Sequence, residues 1–209
     1  MANKIKYGIQ DVYYAKATDD GTGKLTYATP VRLPGAVNLS LSQEGGDTNF
    51  YADNILYWKG NSNNGYSGSL ELARIPESFY TDILGMETEE GVMFEKTGTP
   101  TIEFALLFQF EGDESATRHV MYRCTATRPD VNGQTIEDSI TPQTETINLT
   151  AMPRINDKYI KAKAGVDASA YATWFDAVVE PSAEESSNTN TNTDNTSSTD
   201  DEDDDYLNG

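Results

Sequence analysis

Residues 101–111 read TIEFALLFQFE, and the period of that run decides the fold class. Ile102, Phe104, Leu106, Phe108 and Phe110 recur at every second position, which puts them on one face of an extended strand. On a helix the same residues would be scattered round the axis. Downstream, His119–Thr127 alternates Val120, Tyr122, Cys124 and Ala126 with His119, Met121, Arg123 and Thr125. Thr146–Ala151 alternates Ile147, Leu149 and Ala151 with Thr146, Asn148 and Thr150. Upstream, Leu70 and Leu72 oppose Ser69 and Glu71, and Val37, Leu39 and Leu41 oppose Asn38, Ser40 and Ser42. Each run predicts a strand with one buried face. Burial of each large apolar side chain contributes roughly 1.5–3 kcal/mol. A one-residue slip would turn the whole apolar face to solvent, so the registers are expected to be well defined.

Turn signals separate the runs. Asp19-Asp20-Gly21-Thr22-Gly23, between Val12–Thr18 and Leu25–Val31, predicts a hairpin loop. Asn61–Gly65 and Pro129–Gly133 read the same way, and Pro100 and Pro142 stand before strands. Two short helices are expected to cover the sheet. Pro76–Gly85 opens on a Pro at the first helical position and ends on Gly, with Phe79, Ile83 and Leu84 on one side. Ala168–Val179 follows Asp167 as N-cap, and Tyr171, Trp174, Phe175 and Val178 form an apolar stripe. The expected fold class is therefore mainly β, with one or two short flanking α-helices.

The chain has 209 residues and a formal net charge of −19. Residues 180–209 hold ten carboxylates and no Lys or Arg, which leaves −9 on the remainder. From Ser182 to Asp205 only Ala183 is apolar, so residues 182–209 are expected to be a disordered acidic Ser/Thr/Asn/Asp-rich tail beside a β domain over residues 1–181. Both parts repel phosphates, which argues against nucleic-acid binding, since that depends on Lys and Arg displacing counterions. One cysteine, Cys124, allows no intrachain disulfide and is expected to be a buried core thiol. No apolar run is long enough for a membrane helix, and residues 1–10 carry no signal-peptide stretch, so a cytoplasmic origin is expected.

Chemistry-bearing patterns are scarce. His119 is the single histidine, which leaves no Cys/His zinc set, and no phosphate-binding loop, nucleotide fingerprint or nucleophile elbow is present. Glu71 with Glu103 is the one carboxylate pair considered for glycosidase work, and outward acids on strands are common. No enzyme activity, catalytic residue, metal or cofactor is expected.

Several blocks, taken in order, resemble the major tail protein (tail-tube) family of long-tailed siphophages. They are Tyr7-Gly8; Val12–Lys16; Thr22–Tyr27; Thr29–Ala36; Tyr51–Asn54; Gly68–Leu72 followed by Ile75-Pro76 and a short helix; and Trp174–Val178 before Glu180-Pro181. The resemblance spans residues 1–181 and implies a β-sandwich or barrel of tail-tube type, flanked by a helix, forming hexameric rings that stack into a tube. Such a tube encloses a tape-measure protein, meets tail-terminator and baseplate or distal tail proteins, and conducts DNA without binding it specifically. It also implies a place in the virion tail, with assembly in the host cytoplasm and no membrane partner. The acidic segment after residue 181 departs from the simplest family pattern.

Under that resemblance, two surfaces stand out. Gln43–Gly65 carries Phe50, Tyr51, Asp53, Ile55, Leu56, Tyr57 and Trp58 between glycine-rich and asparagine-rich ends. It reads either as a hairpin folded on its own core or as an element reaching another copy, since aromatics are favoured interface anchors. The small polar faces Asn38/Ser40/Ser42, Ser69/Glu71 and Thr146/Asn148/Thr150 contain no Lys or Arg and are expected to line a lumen. Alternatives from other classes stay open: a monomeric β-sandwich carbohydrate-binding module, a carboxylate-dependent hydrolase, and a tail-terminator or type VI secretion tube-like ring protein.

Overall fold

A computed structural model of the chain describes residues 7–111, 116–135 and 142–181. Contacts divide the chain into Met1–Val179 and Glu180–Gly209. The acidic segment 182–209 and residues 1–6 lie outside the described residues.

The first unit comprises β1 (Ile9–Asp19), β2 (Leu25–Tyr27), β3 (Val31–Arg32), β4 (Ala36–Glu44), β5 (Asp47–Ala52), β6 (Ile55–Asn61), β7 (Gly65–Leu72), α1 (Glu77–Asp82), β8 (Glu87–Glu89), β9 (Val92–Phe94), β10 (Phe104–Phe110), β11 (Arg118–Ala126), β12 (Glu145–Met152) and β13 (Lys161–Ala164). A 9-stranded antiparallel sheet runs β2-β1-β10-β11-β12-β7-β4, with β3 beside β1 and β13 beside β11. β1 and β4 lie far apart in that order yet come back into contact, so the sheet curls on itself. The expected hairpin loop joins β1 to β2, and Asp19 Oδ1 accepts the Gly21 and Gly23 N–H groups at 2.8 and 3.0 Å.

The inside of the curl is the main core. Val12, Tyr14, Leu70, Leu72, Phe104, Leu106, Phe108, Ile147 and Leu149 meet there. α1 closes it: Phe79 packs edge-on against Tyr14 and Phe104, with ring centroids 5.2 and 5.6 Å apart. Pro76 sits at the N-cap in extended conformation, one position before the expected one, and Gly85 at φ 72 follows the helix. Cys124 is buried in this core.

Four expectations change. First, β10 is buried on both faces and not one: Ala105 and Leu107 join Ala15, Val120, Tyr122, Ala164 and Trp174 in a second apolar cluster. Second, Val120, Tyr122, Cys124 and Ala126 do not share a face. Phe104 pairs with Cys124 while Leu106 pairs with Met121, so β11 holds one extra residue there. That bulge sends Val120 and Tyr122 to the second cluster, and Met121, Cys124 and Ala126 to the main core. Third, Val37 is 52 % exposed. Ala36 opposes Leu72 and Asn38 opposes Glu71, so Val37 is the extra residue of a bulge and Ala36 packs on the core instead.

Fourth, residues 168–179 form successive turns, not an α-helix. Tyr171, Trp174 and Asp176 donate their N–H groups to the carbonyls of Ala168, Tyr171 and Thr173, each three residues back. The Tyr171 carbonyl, which a helix would offer to Phe175, is also held by the Arg118 guanidinium. Anchors to the sheet replace helical bonding. Arg118 lies 4.0 Å over the Tyr171 ring, Phe175 stacks on Tyr13 at 4.8 Å, and Trp174 Nε1 donates to the His119 carbonyl at 3.3 Å. The stripe Tyr171, Trp174, Phe175 and Val178 still covers the sheet as expected.

The buried Tyr14 hydroxyl donates to Asp82 Oδ2 at 2.8 Å. Burial, reinforced by that carboxylate, pushes the phenol from 10.0 up to about 12. The folded state therefore favours the protonated ring. Its contribution is complete below pH 10 and lost as pH rises through about 12. Urea denaturation across that window is expected to show a steeper alkaline loss of stability for the wild type than for Tyr14→Phe.

Candidate assembly surfaces

The sheet puts two unusual surfaces on the molecule: a projecting arm and a bare polar face. The arm extends the β4–β7 pair. Beyond Glu44, which pairs with Gly65, the chain crosses a joint and resumes as the separate β5–β6 hairpin. The joint is closed by backbone bonds. Ser62 N–H donates to the Gly46 carbonyl at 3.0 Å, and Asn64 N–H to the Glu44 carbonyl at 2.8 Å. Ser62 Oγ accepts the Gly46 N–H at 3.0 Å. Gly45 has φ 153, and a Cβ there would lie 2.0 Å from the Ser62 carbonyl oxygen, so no side chain fits. At the tip, Asp53 and Asn54 take φ 51 and 61, as a two-residue type I′ turn requires. Lys59 Nζ lies 2.6 Å from Asp47, and Asn61 Nδ2 donates to the same carboxylate at 2.8 Å. The bond from Lys59, then that from Asn61, holds the Asp47 carboxyl below its usual range.

The arm is thus formed by its own backbone and ion pair, and its aromatics are left over. Phe50, Tyr51, Ile55, Leu56, Tyr57 and Trp58 are 49–72 % exposed. Phe50 opposes Trp58, Tyr51 opposes Leu56, and Tyr57 is the bulge residue between them. Phe50 and Tyr57 meet edge-on at 6.4 Å. The segment is a hairpin whose large side chains join neither apolar cluster of the described residues. Asp53 is a turn residue at the tip.

The polar face is assembled by register. Asn38 opposes Glu71, which opposes Thr146; Ser40 opposes Ser69, which opposes Asn148. Ser42 opposes Ser67, which opposes Thr150. All eight sequence-predicted residues therefore share one face across β4, β7 and β12, and Ser67 completes the grid. Sequence reasoning missed Ser67 because Gly68 hid the start of the strand; extending the Ser69/Glu71 period back two residues finds it. The opposite face of the same strands carries Leu39, Leu41, Leu70, Ile147 and Leu149 into the core. Glu71 is the one charged residue of the grid and accepts from Thr144 Oγ1 at 2.6 Å. β4 is the terminal strand, so its outer edge has no sheet partner among the described residues.

β8 and β9 pair as a second small hairpin. It turns at Glu90 and Gly91 with φ 50 and 82 and exposes Val92 and Phe94. Its signal was Gly91 followed by alternating Val92 and Phe94.

Glu103 and His119 each have a partner on the sheet. Arg123 grips Glu103 with Nε at 2.9 Å and Nη2 at 2.7 Å. His119 stacks on Phe108 with centroids 5.1 Å apart. Among the described residues no group of His, Cys, Asp and Glu is placed to hold a metal. No helix among them is long and apolar enough to cross a membrane. The chain matches no protein-family model and no curated protein.

Since the arm aromatics bury little within the monomer, Tyr57→Ala with Trp58→Ala is expected to stay within about 0.5 kcal/mol of wild type. Urea denaturation of the monomer measures it. A core-sized loss of several kcal/mol would mean that the arm packs on its own subunit.

Proposed function

We propose that this chain is a structural subunit of a phage tail tube. Hexameric rings of it would stack, enclose a tape-measure protein, and conduct DNA during infection. The subunit works by self-assembly and performs no catalysis. The observation that carries the reading is the arm: a preformed hairpin holding six large apolar side chains away from any core of its own. An exposed apolar surface of that kind marks an interaction site. Among the described residues the outer edge of β4 approaches β1 but has no hydrogen-bonded sheet partner, and a strand edge left unpaired is a liability unless another chain completes it. Rotation within a ring lets identical copies complete one another and closes the assembly.

In this reading the arm reaches a neighbouring copy and the polar grid lines the lumen. Small hydroxyl and amide side chains keep such a wall wetted and present no cation for phosphates to grip. Wall charge acts locally, since screening at physiological salt falls off over about 8 Å. The particle location is then the virion tail, with tail-terminator and baseplate proteins as end partners.

Negative-stain electron microscopy of the concentrated protein is the test. Hollow tubes or six-fold rings are expected for wild type, and loss of both for the Tyr57→Ala, Trp58→Ala variant. Wild-type protein that stays monomeric while binding an oligosaccharide would favour the binding-module alternative. The lumen assignment has its own test. Lys at Ser40 and Thr150 in assembled tails is expected to slow DNA ejection, and unchanged ejection would count against it.

A further inference from the structure

The chain contains two Asn-Gly dipeptides among the described residues, and the fold treats them in opposite ways. Asn64-Gly65 lies at the start of β7. The Asn64 N–H donates to the Glu44 carbonyl at 2.8 Å, and the Gly65 N–H donates to Asn63 Oδ1 at 3.3 Å. Gly65 is buried, pairs with Glu44, and would place a Cβ 2.1 Å from the Ala151 carbonyl oxygen. This peptide cannot rotate without breaking the β4–β7–β12 pairing.

Asn132-Gly133 is held by nothing comparable. Both residues are exposed and outside any strand or turn, and neither makes a hydrogen bond among the described residues. Open space surrounds the position of a Gly133 Cβ, and neighbouring Val131 is 100 % exposed. Glycine offers no side chain to obstruct its own nitrogen, and its backbone is the most permissive of all.

We infer that Asn132 is a site of spontaneous deamidation in the folded protein. The Gly133 backbone nitrogen gives up its proton to solvent base and attacks Asn132 Cγ. The Cγ–Nδ2 bond breaks, and Nδ2 leaves as ammonia after taking up a proton, closing a five-membered succinimide. Water then opens either ring carbonyl, giving aspartate or isoaspartate. The net change is one water consumed and one ammonia released, with no redox partner. Because the attacking nitrogen must lose its proton, the rate rises with pH.

The site lies on the rim of a cavity of about 420 Å³ lined also by Tyr80, Met86, Glu95, Arg128 and Asp130. Arg128 there is already paired with Glu95 at 2.5 Å, so the new carboxylate joins an acidic rim that has its cation engaged. The isoaspartate form also adds a methylene to the backbone of that rim. Ageing of the protein would therefore add negative charge to this rim.

The test is peptide mapping by mass spectrometry of full-length protein aged in mildly alkaline buffer, folded and in denaturant. In the folded protein the peptide containing Asn132 is expected to gain the acid mass as a resolved aspartate and isoaspartate pair, while the peptide containing Asn64 stays unmodified. In denaturant both are expected to convert. Gly133→Ala is expected to suppress conversion at Asn132 without changing the circular dichroism of the fold. Asn208-Gly209, outside the described residues, reports on its own peptide and does not enter the comparison. Equal conversion at Asn64 and Asn132 in the folded state, or none at Asn132, overturns the inference.

Discussion

Strand β10 carries bulky apolar side chains on both faces, and an antiparallel sheet accepts such a strand only where both of its sides are covered. That demand organises the molecule. On one side the sheet curls and α1 closes the hollow with Phe79. On the other, the turns after Gly165 lay Tyr171, Trp174 and Phe175 over Ala105, Leu107 and Val120. The second cover reaches only the β1–β10–β11 half. From Asn38 in β4 and along β7 and β12, Leu and Ile point inside and Ser, Thr, Asn and Glu71 outside, while the outer Thr146 and Asn148 share a cavity with residues 128–132.

Bulges connect these two regimes. The extra residue in β11 divides its apolar residues between the two clusters, so one strand serves both covers. The extra residue in β4 turns Val37 outward and leaves Ala36, Leu39 and Leu41 on the core. A bulge also bends the strand that carries it, which suits a sheet whose ends return toward each other.

The arm follows a different logic. Its conformation is specified locally, by the Gly45 joint, the Asp53-Asn54 turn and the Asp47–Lys59 pair. Its aromatic side chains meet one another and join neither apolar cluster of the described residues. A surface so organised and so apolar carries a cost in solubility, and the proposed tube assembly would give one common explanation to the arm and to the β4 edge left unpaired among the described residues.

The strand runs, the hairpin loop at Asp19–Gly23, the first helix and the polar character of the three outer faces were legible in the amino-acid order, because period and turn chemistry are local properties. That Asn38, Glu71 and Thr146 stand in one row was not, since register is a relation between strands distant in sequence. The stripe at Tyr171, Trp174, Phe175 and Val178 correctly announced a cover but not its backbone. Helix and successive turns present similar spacings, and Arg118, fifty-odd residues upstream, holds the carbonyl that a helix would need. The exposure of Phe50, Tyr57 and Trp58 likewise depended on whether any core lay within reach of the arm. By itself, then, the sequence determined which segments extend, where they turn and which side of each is apolar. Tertiary structure alone decided which faces are doubly covered, where a bulge reverses a side chain, and which apolar groups are left in solvent. Burial is a property of what packs alongside, and the chain order does not contain it.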